Sequence, residues 1–292
     1  MAFRTVVVNN HCKLSYKNNR LTYKSETATD IIPISEIDLL ILETTDIAIT
    51  TALISKLSEN NVPVIFCTEK RLPTAQLMPY YGRHDSSLQI QKQIDWKQEA
   101  KQVAWLEILR QKLTNQALLL KLHYFEEKHD AIIKLTDELQ PGDPSNREGH
   151  SARIFFNVLY GNSFSRDIPN DINAGLDYGY TLIMSIFARE IVKCGCLTQL
   201  GINHVNQFNP YNLASDLMEP FRVVVDSVVY THRTKSFAFI KRQLFDIFNT
   251  THIYGGSAMF LTNIVAHYTK QCIDFMHGIN EHMPVFVLEE KE

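Results

Sequence analysis

The sequence lacks any hydrophobic run that approaches the roughly 18 residues needed to cross a membrane. Its first five residues lead straight into the apolar segment Val6-Val7-Val8, with no apolar signal region before it. We therefore expect a cytoplasmic protein that does not associate with membranes.

Cysteine is scarce, with five residues in a chain of 292, and the five are irregularly spaced. An odd count without regular spacing argues against a disulfide framework and favours reduced thiols. Cys194 and Cys196 are the only close pair in the sequence, and their one-residue gap is shorter than the usual zinc-binding spacing. Buried thiols explain these cysteines better than a zinc site does.

An excess of positive charge is also missing, because 29 lysines and arginines face 32 aspartates and glutamates. The net charge of −3 therefore gives no support to non-specific nucleic-acid binding by the whole molecule. A local basic surface would still be enough to bind phosphates. Low-complexity tracts and internal repeats are absent, and 45% hydrophobic residues with 10% aromatics indicate a packed globular protein.

The residue pattern changes from strands to helices along the chain. Short β-branched and aromatic segments predict strands at 5–8, 13–16, 20–24, 30–34, 36–42 and 62–67, with one helix starting near residue 50. Helical spacing predicts a long helix at 96–124 and further helices at 148–160, 175–194, 216–230, 240–248 and 257–275. We therefore predict an α+β protein with a small β-rich N-terminal domain (1–78), a linker (79–95) and a larger all-helical domain (96–292).

The first candidate for chemistry is Glu148, in the segment Asn146-Arg147-Glu148-Gly149 at the start of a predicted helix. A carboxylate in this position can ligate a divalent cation. The segment also fits a capping box, in which Ser145 caps the helix and Glu148 bonds back to the Ser145 amide. The residues alone leave both interpretations open.

The second candidate is His204, in a polar loop framed by Gly201 and Pro210. Its imidazole offers a metal ligand or a proton carrier, although an isolated histidine is more often structural. Twelve residues later, Asp216 and Glu219 stand three positions apart, so they share one face of a predicted helix. The loop and the helix together place three polar groups close in sequence.

Glu148, His204 and Glu219 form a potential ligand set for Mg²⁺ or Mn²⁺, because oxygen ligands dominate it. Such a cation would stabilise charge on the attacking and leaving oxygens of a phosphoryl transfer, so the absence of a glycine-rich phosphate loop is expected. A structural explanation remains open here too. Asp216 can cap a helix with Glu219 at its third position, and Arg222 can simply pair with Glu219.

Arginines near these segments are candidates for contacting DNA phosphates. They are Arg71, Arg83, Arg147, Arg153, Arg166, Arg222 and Arg233. Each of them, taken alone, is explained equally well as a solvated surface charge.

The candidate segments together resemble the motifs of the CRISPR adaptation integrases, the CRISPR-associated endonucleases that insert new spacers. The motifs are the Glu148 segment, the loop 201–204 and the segment 216–222, Asp-Leu-Met-Glu-Pro-Phe-Arg, in the family's order and at its kind of separation. Residues 81–87 (Tyr-Gly-Arg-His-Asp-Ser-Ser) and 173–180 (Asn-Ala-Gly-Leu-Asp-Tyr-Gly-Tyr) resemble the subgroup associated with type II-A systems. The likeness extends over essentially the whole chain.

The resemblance implies a β-rich N-terminal domain that dimerises and a helical catalytic domain. It places metal ligands at Glu148, His204 and Glu219, with Asp216 as a helper beside the site. The second carboxylate is a glutamate where many relatives carry aspartate, so its arm is longer. The implied reaction is transesterification, in which the 3′ hydroxyl of captured double-stranded DNA attacks a phosphodiester at the boundary of a CRISPR repeat and expels another 3′ hydroxyl.

The partners implied by the resemblance are proteins as well as DNA. The active form would be a heterohexamer of two homodimers and one dimer of a small ferredoxin-like partner, and type II-A relatives also work with a ring-forming DNA-end protein and an RNA-guided effector nuclease. Two other functions fit the same residues. One is a free-standing metal-dependent nuclease of branched DNA, and the other is a catalytically silent DNA-binding assembly subunit whose carboxylates only cap helices.

Overall fold

The computed structural model describes residues 4–79 and 82–288, so Tyr81 in the first subgroup-like segment lies outside the described residues. The chain forms two compact units that divide between Ser86 and Ser87. The division falls within the stretch 79–95 predicted as a linker, where residues Ser86–Ile94 form a helix. Among the described residues, no helix is both long enough and apolar enough to span a membrane.

Over its described residues, the N-terminal unit contains two four-stranded sheets, one α-helix and a short 3₁₀ turn at Ile34–Glu36. Its elements are β1 (Arg4–Val8), β2 (Cys12–Lys17), β3 (Arg20–Lys24), β4 (Thr29–Pro33), β5 (Ile37–Leu42), β6 (Ile47–Ile49), α1 (Thr51–Glu59), β7 (Val64–Cys67) and β8 (Pro73–Leu77). One sheet has the order β1-β5-β7-β8, with β8 antiparallel to an otherwise parallel set. The other has the order β4-β3-β2-β6, in which only the β2 and β6 pair is parallel.

Local sequence signals account for this unit. Asn18 and Asn19 adopt φ angles of +50° and +59°, as a two-residue turn between antiparallel strands requires, and asparagine tolerates this conformation well. The side chain of Thr50 caps α1 by accepting a hydrogen bond from the Leu53 amide. Leu14 and Leu53 are fully buried in the core that the strands and α1 share. The strands and helix predicted here are confirmed, whereas the short strands β6 and β8 were not predicted.

The C-terminal unit is mainly helical. Its elements are α2 (Ser86–Ile94), α3 (Gln98–Leu122), α4 (Glu126–Asp137), α5 (Arg147–Tyr160), α6 (Asp171–Lys193), α7 (Asn212–Leu217), α8 (Arg222–Thr231), α9 (Phe237–Phe245), β9 (Thr251–Tyr254), β10 (Ser257–Phe260) and α10 (Leu261–Met276). The α+β fold class is therefore confirmed.

Helix α3 is the centre of this unit, and it packs against α4, α5, α8 and α10. Apolar residues at the predicted helical spacing, such as Leu109 and Leu113, are buried. Polar residues on its other faces are buried too, including Gln111 and Asn115, because their amides bond to backbone groups of neighbouring segments. A helix surrounded on most sides thus presents polar atoms inside the unit.

Two predicted helices are wrong in detail. The helix predicted at 216–230 is broken into α7, a 3₁₀ turn Glu219–Phe221, and α8. Pro220 explains the break, because proline has no amide hydrogen and restricts the residue before it. The helix predicted at 257–275 begins as strand β10, since Gly255 and Gly256, with φ of +57° and +77°, turn the chain into the β9-β10 hairpin. The domain predicted as all-helical therefore contains one two-stranded sheet.

Candidate active site

Glu148 lies in the first turn of α5, and its carboxylate pairs with Lys112 of α3. Asp143 accepts hydrogen bonds from the amides of Arg147 and Glu148 at 2.8 and 3.0 Å, and Asn146 accepts one from the Gly149 amide at 3.2 Å. The capping box predicted as an alternative is therefore wrong, since Asp143 and Asn146 satisfy the helix start instead. The Glu148 carboxylate is left available, and its Oε1 lies 2.6 Å from Lys112 Nζ.

Gly149 fits this tight start because it has no side chain. A Cβ at this position would lie 2.6 Å from Oδ1 of Asn146, which is closer than real Cβ atoms approach. The four-residue motif around Glu148 is thus explained by the geometry of the helix start.

Glu219 lies in the 3₁₀ turn between α7 and α8, and only 4% of its side chain is exposed. Its two oxygens face two cations. Oε2 is 2.7 Å from Lys112 Nζ, and Oε1 is 3.0 Å from a terminal nitrogen of Arg222. Burial alone would raise the pKa of Glu219, but Lys112 and Arg222 outweigh burial and lower the pKa from 4.5 to about 2.

Lys112 on α3 therefore joins the two carboxylates. Its burial favours loss of the proton, but the charges of Glu219 and Glu148 outweigh that effect and raise the pKa of Lys112. Two glutamates from separate elements thus converge on one positive charge. Lys112 was not predicted as a site residue. Its position between Leu109 and Leu113 on a buried helix was a signal, because a buried lysine needs a negatively charged partner.

Asp216 organises the loop that carries His204. Its buried carboxylate accepts hydrogen bonds from the amides of Ile202, Asn203 and His204 at 2.6, 3.0 and 3.1 Å. It also lies 2.5 Å from Nδ1 of His204. The alternative in which Asp216 caps a helix is wrong, because Asp216 lies near the end of α7 and binds the preceding loop.

His204 is held in one orientation by this contact. The hydrogen bond to Asp216 is the main cause of a raised pKa of His204, and burial opposes it. With Nδ1 engaged, Nε2 is the ring nitrogen that can act on a ligand. Gly201 permits the loop, because a Cβ there would lie 2.3 Å from the His204 carbonyl oxygen.

Helix α3 brings the loop and the carboxylates to one side of the unit. The Trp105 ring meets the His204 ring edge-on at 5.7 Å, and Lys112 follows Trp105 by two helical turns. His204 borders an open cavity of about 630 Å³, whereas Glu219 borders a second one of about 170 Å³. In the described part of the chain, no three His, Cys, Asp or Glu side chains are grouped closely enough to hold a metal ion.

A buried polar pair, Tyr180 and Asp226, lies next to Arg222 on the Glu219 side of the site. The Tyr180 hydroxyl donates to Asp226, and the Arg222 guanidinium lies over the Tyr180 ring at 4.6 Å from its centroid. Burial raises the pKa of Asp226 to about 7, although Tyr180 and the nearby arginines oppose that rise. This pair was not predicted, because its members are 46 residues apart in the sequence.

Most of the arginines proposed for DNA contact have partners within the chain. Arg71 lies 3.8 Å from Glu43, Arg83 lies 2.5 Å from Asp85, and Arg147 lies 2.8 Å from Glu138. Arg166 lies 2.7 Å from Asn173 and also pairs with Asp177, and Arg222 lies 3.0 Å from Glu219. Arg233 lies 2.9 Å from the Tyr230 carbonyl, and Arg153 is exposed. The predicted pairing of Arg222 with Glu219 is confirmed. Contact of these arginines with DNA stays a prediction.

Comparison with known proteins identifies the family. Residues 5–243 match the family described as "CRISPR associated protein Cas1". The chain is 32% identical over 233 residues to the CRISPR-associated endonuclease Cas1 of Neisseria meningitidis serogroup C (strain 8013), covering 78% of this chain and 75% of that protein.

Solved structures share the fold at low sequence identity. A casposase bound to an integration product has a TM-score of 0.76 at 16% identity, covering 96% of this chain and 92% of that one. A chain of a Cas6-RT-Cas1–Cas2 complex has a TM-score of 0.75 at 17% identity, covering 99% of this chain and 36% of that one. With the family match over most of its length, this chain belongs to the CRISPR-associated Cas1 family.

Proposed function

We propose that this protein is a metal-dependent DNA integrase and endonuclease that inserts captured DNA fragments, as new spacers, into a CRISPR array. The observation that carries the proposal is the convergence of Glu148 and Glu219, from separate elements, on a single cation, with Lys112 Nζ 2.6 and 2.7 Å from their oxygens. Family membership supports the nuclease activity, and the shared fold of a casposase bound to an integration product supports the joining reaction.

We further propose that Glu148, Glu219 and His204 hold Mg²⁺ or Mn²⁺. The donor types suit such an ion, because they are two carboxylates and an imidazole whose orientation Asp216 fixes. The three side chains are not grouped closely enough to hold an ion as described, since Lys112 lies between the two carboxylates, so loading the site requires them to close around the ion. In addition, both carboxylates face the one position that Lys112 Nζ occupies. When bound, the cation would polarise the phosphodiester and stabilise charge on the attacking and leaving oxygens.

The chain's own residues have distinct tasks in this reaction. Glu148 and Glu219 bring negative charge to the point where the phosphodiester must lie, and Lys112 and Arg222 balance that charge before DNA arrives. Lys112 must move aside or turn toward the phosphate when the site is loaded. Nε2 of His204 can act on a ligand at the same side of α3. One phosphodiester replaces another, so no nucleotide triphosphate is consumed.

The partners of the proposed reaction are captured double-stranded DNA with 3′ hydroxyl ends and the repeat DNA of the array. The likeness to a chain of a Cas6-RT-Cas1–Cas2 complex supports assembly with a small ferredoxin-like partner. We propose a heterohexamer of two homodimers and one partner dimer. We also propose the type II-A-like subgroup, with its ring-forming DNA-end protein and RNA-guided effector nuclease, on the basis of the segments 81–87 and 173–180.

The test is strand joining by the purified chain and its small partner, with a labelled 3′-hydroxyl DNA and a supercoiled repeat plasmid. Manganese-dependent joining by wild type, lost in Glu148→Gln and retained in the exposed control Glu127→Gln, is expected. Cleavage without joining would favour the free-standing nuclease of branched DNA instead.

Equal joining by Glu148→Gln and wild type would refute Glu148 as a metal ligand. It would favour a catalytically silent assembly subunit, but not one whose carboxylates only cap helices, because Asp143 and Asn146 cap α5 and Asp216 binds the 202–204 loop.

A further inference from the structure

The last described segment of the chain, residues 283–288, lies beyond α10 and has no regular secondary structure. We call it the C-terminal strap. Val285 is the exposed residue of the strap, at 59%, whereas the other five side chains are buried or partly buried and Phe286 is fully buried. Full burial of an apolar ring in a segment without regular secondary structure implies that the strap is anchored.

Two amide side chains on α3 anchor the strap. Gln111 donates to the Pro284 carbonyl at 2.9 Å and accepts from the Phe286 amide at 2.9 Å. Asn115, one helical turn later, donates to the Phe286 carbonyl at 3.0 Å and accepts from the Leu288 amide at 2.9 Å. Both side chains are buried, so losing a partner would leave polar groups unsatisfied.

The same contacts reach the turn that carries Glu219. The amide nitrogen of Asn115 also donates to the carbonyl of Pro220, the next residue after Glu219, at 2.9 Å. The ring of Phe286 stacks on that of Phe221, with centroids 4.0 Å apart and an interplanar angle of 8°. The strap is therefore in direct contact with the residue that closes this turn.

The Glu219 turn depends on such contacts because it is a 3₁₀ turn of only three residues. Short 3₁₀ turns have poor hydrogen-bond geometry and little stability of their own. Its proline also contributes no amide hydrogen. The backbone position from which the Glu219 carboxylate reaches Lys112 and Arg222 is thus set by the surroundings of Pro220 and Phe221.

We infer that the C-terminal strap is a positioning element of the active site, which fixes Glu219 through Asn115 and through the Phe286 and Phe221 stack. The inference rests on the proposed function in so far as Glu219 is a metal ligand. Phe286 and Asn115 are positioning residues, since they act on the site through the Glu219 turn. Small displacements of such a ligand are expected to affect cation binding strongly.

The test compares Phe286→Ala with two matched controls. Val285→Ala changes the exposed neighbour in the strap, and Phe248→Ala removes another buried ring, 4% exposed, that lies in a different 3₁₀ turn. Amide hydrogen exchange at residues 221–223 is measured without metal, well below the melting temperature of every variant. Mn²⁺ binding is then measured by calorimetry.

Phe286→Ala is expected to exchange at residues 221–223 about tenfold faster than wild type and to bind Mn²⁺ about tenfold more weakly. Val285→Ala should match wild type. Phe248→Ala should melt earlier but leave both quantities unchanged. If Phe286→Ala behaved like Phe248→Ala, the strap would be purely structural and the inference overturned. If wild type bound no Mn²⁺, the proposed metal site would fail, while the exchange data would still decide whether the strap fixes the turn.

Discussion

Replacing Lys112 with methionine removes the one positive charge that Glu148 and Glu219 share. Methionine fills a similar space but leaves the two carboxylates facing each other, with only Arg222 still paired to Glu219 at 3.0 Å. Breaking a buried ion pair costs about 3–5 kcal/mol, because the remaining charge is left without compensation. Since 33% of the Glu148 side chain is exposed and Arg222 remains, we expect the lower end, about 3 kcal/mol.

That loss should be visible as a lower melting temperature in the absence of divalent cations. For a unit of this size, each kcal/mol corresponds to about 2–4 °C, so the expected shift for Lys112→Met is about 6–12 °C. Mn²⁺ should restore the melting temperature of Lys112→Met, because a divalent cation can occupy the position between the carboxylates that the Lys112 ammonium group has vacated. A bound ligand at 100 times its Kd stabilises by about 2.7 kcal/mol.

The assay is thermal unfolding followed by circular dichroism, with EDTA or with Mn²⁺, for wild type, Lys112→Met and the exposed control Lys128→Met. We expect Mn²⁺ to raise the melting temperature of Lys112→Met more than that of wild type, in which the ammonium group must first be displaced. Lys112 does not hold the two carboxylates together if Lys112→Met melts like wild type in EDTA, or if Mn²⁺ stabilises all three proteins equally.

Three further predictions concern Glu219, Gly201 and Asp216. The pKa of Glu219 is lowered from 4.5 to about 2 in the folded state, so its stabilising effect is present above pH 4.5 and is lost as the pH falls toward 2. Between pH 6 and pH 3.5, urea unfolding should therefore show a larger loss of stability in wild type than in Glu219→Gln, and equal losses would contradict this. Gly201→Ala places a Cβ 2.3 Å from the His204 carbonyl oxygen, so the free energy of unfolding measured in urea should fall by about 1–3 kcal/mol. Unchanged stability would be inconsistent with the loop geometry. Asp216→Asn removes the charged partner of His204, so the pKa of His204 measured by NMR should fall toward 6.5; a pKa that stays raised would mean that another group causes the shift.

Much of the fold follows from local patterns in the sequence. Alternation of apolar residues and the Asn18-Asn19 turn predict the N-terminal strands, and the helical spacing of apolar residues predicts α3, α5 and α6. Misassignments occurred where a single residue overrides periodicity. Pro220 ends the helix predicted across the Glu219 motif, and the Gly255-Gly256 turn converts a predicted helix start into a strand.

The candidate site was only partly predictable, for a physical reason. Sequence spacing placed Asp216 near Glu219, but it could not reveal that Asp216 turns back to bind three amides and the imidazole of the His204 loop. Nor does any local pattern pair Lys112 with carboxylates 36 and 107 residues further along the chain. These contacts arise from tertiary packing around α3.

Glu148 and Glu219 are proposed to hold a divalent cation together. Mn²⁺ binding to the purified chain, followed by electron paramagnetic resonance, tests this for wild type, Glu148→Gln and the exposed control Glu127→Gln. We expect wild type and Glu127→Gln to bind Mn²⁺ alike and Glu148→Gln to bind it at least about tenfold more weakly, since one of two carboxylate ligands is lost. Equal affinity in all three proteins would mean that Glu148 does not bind the cation.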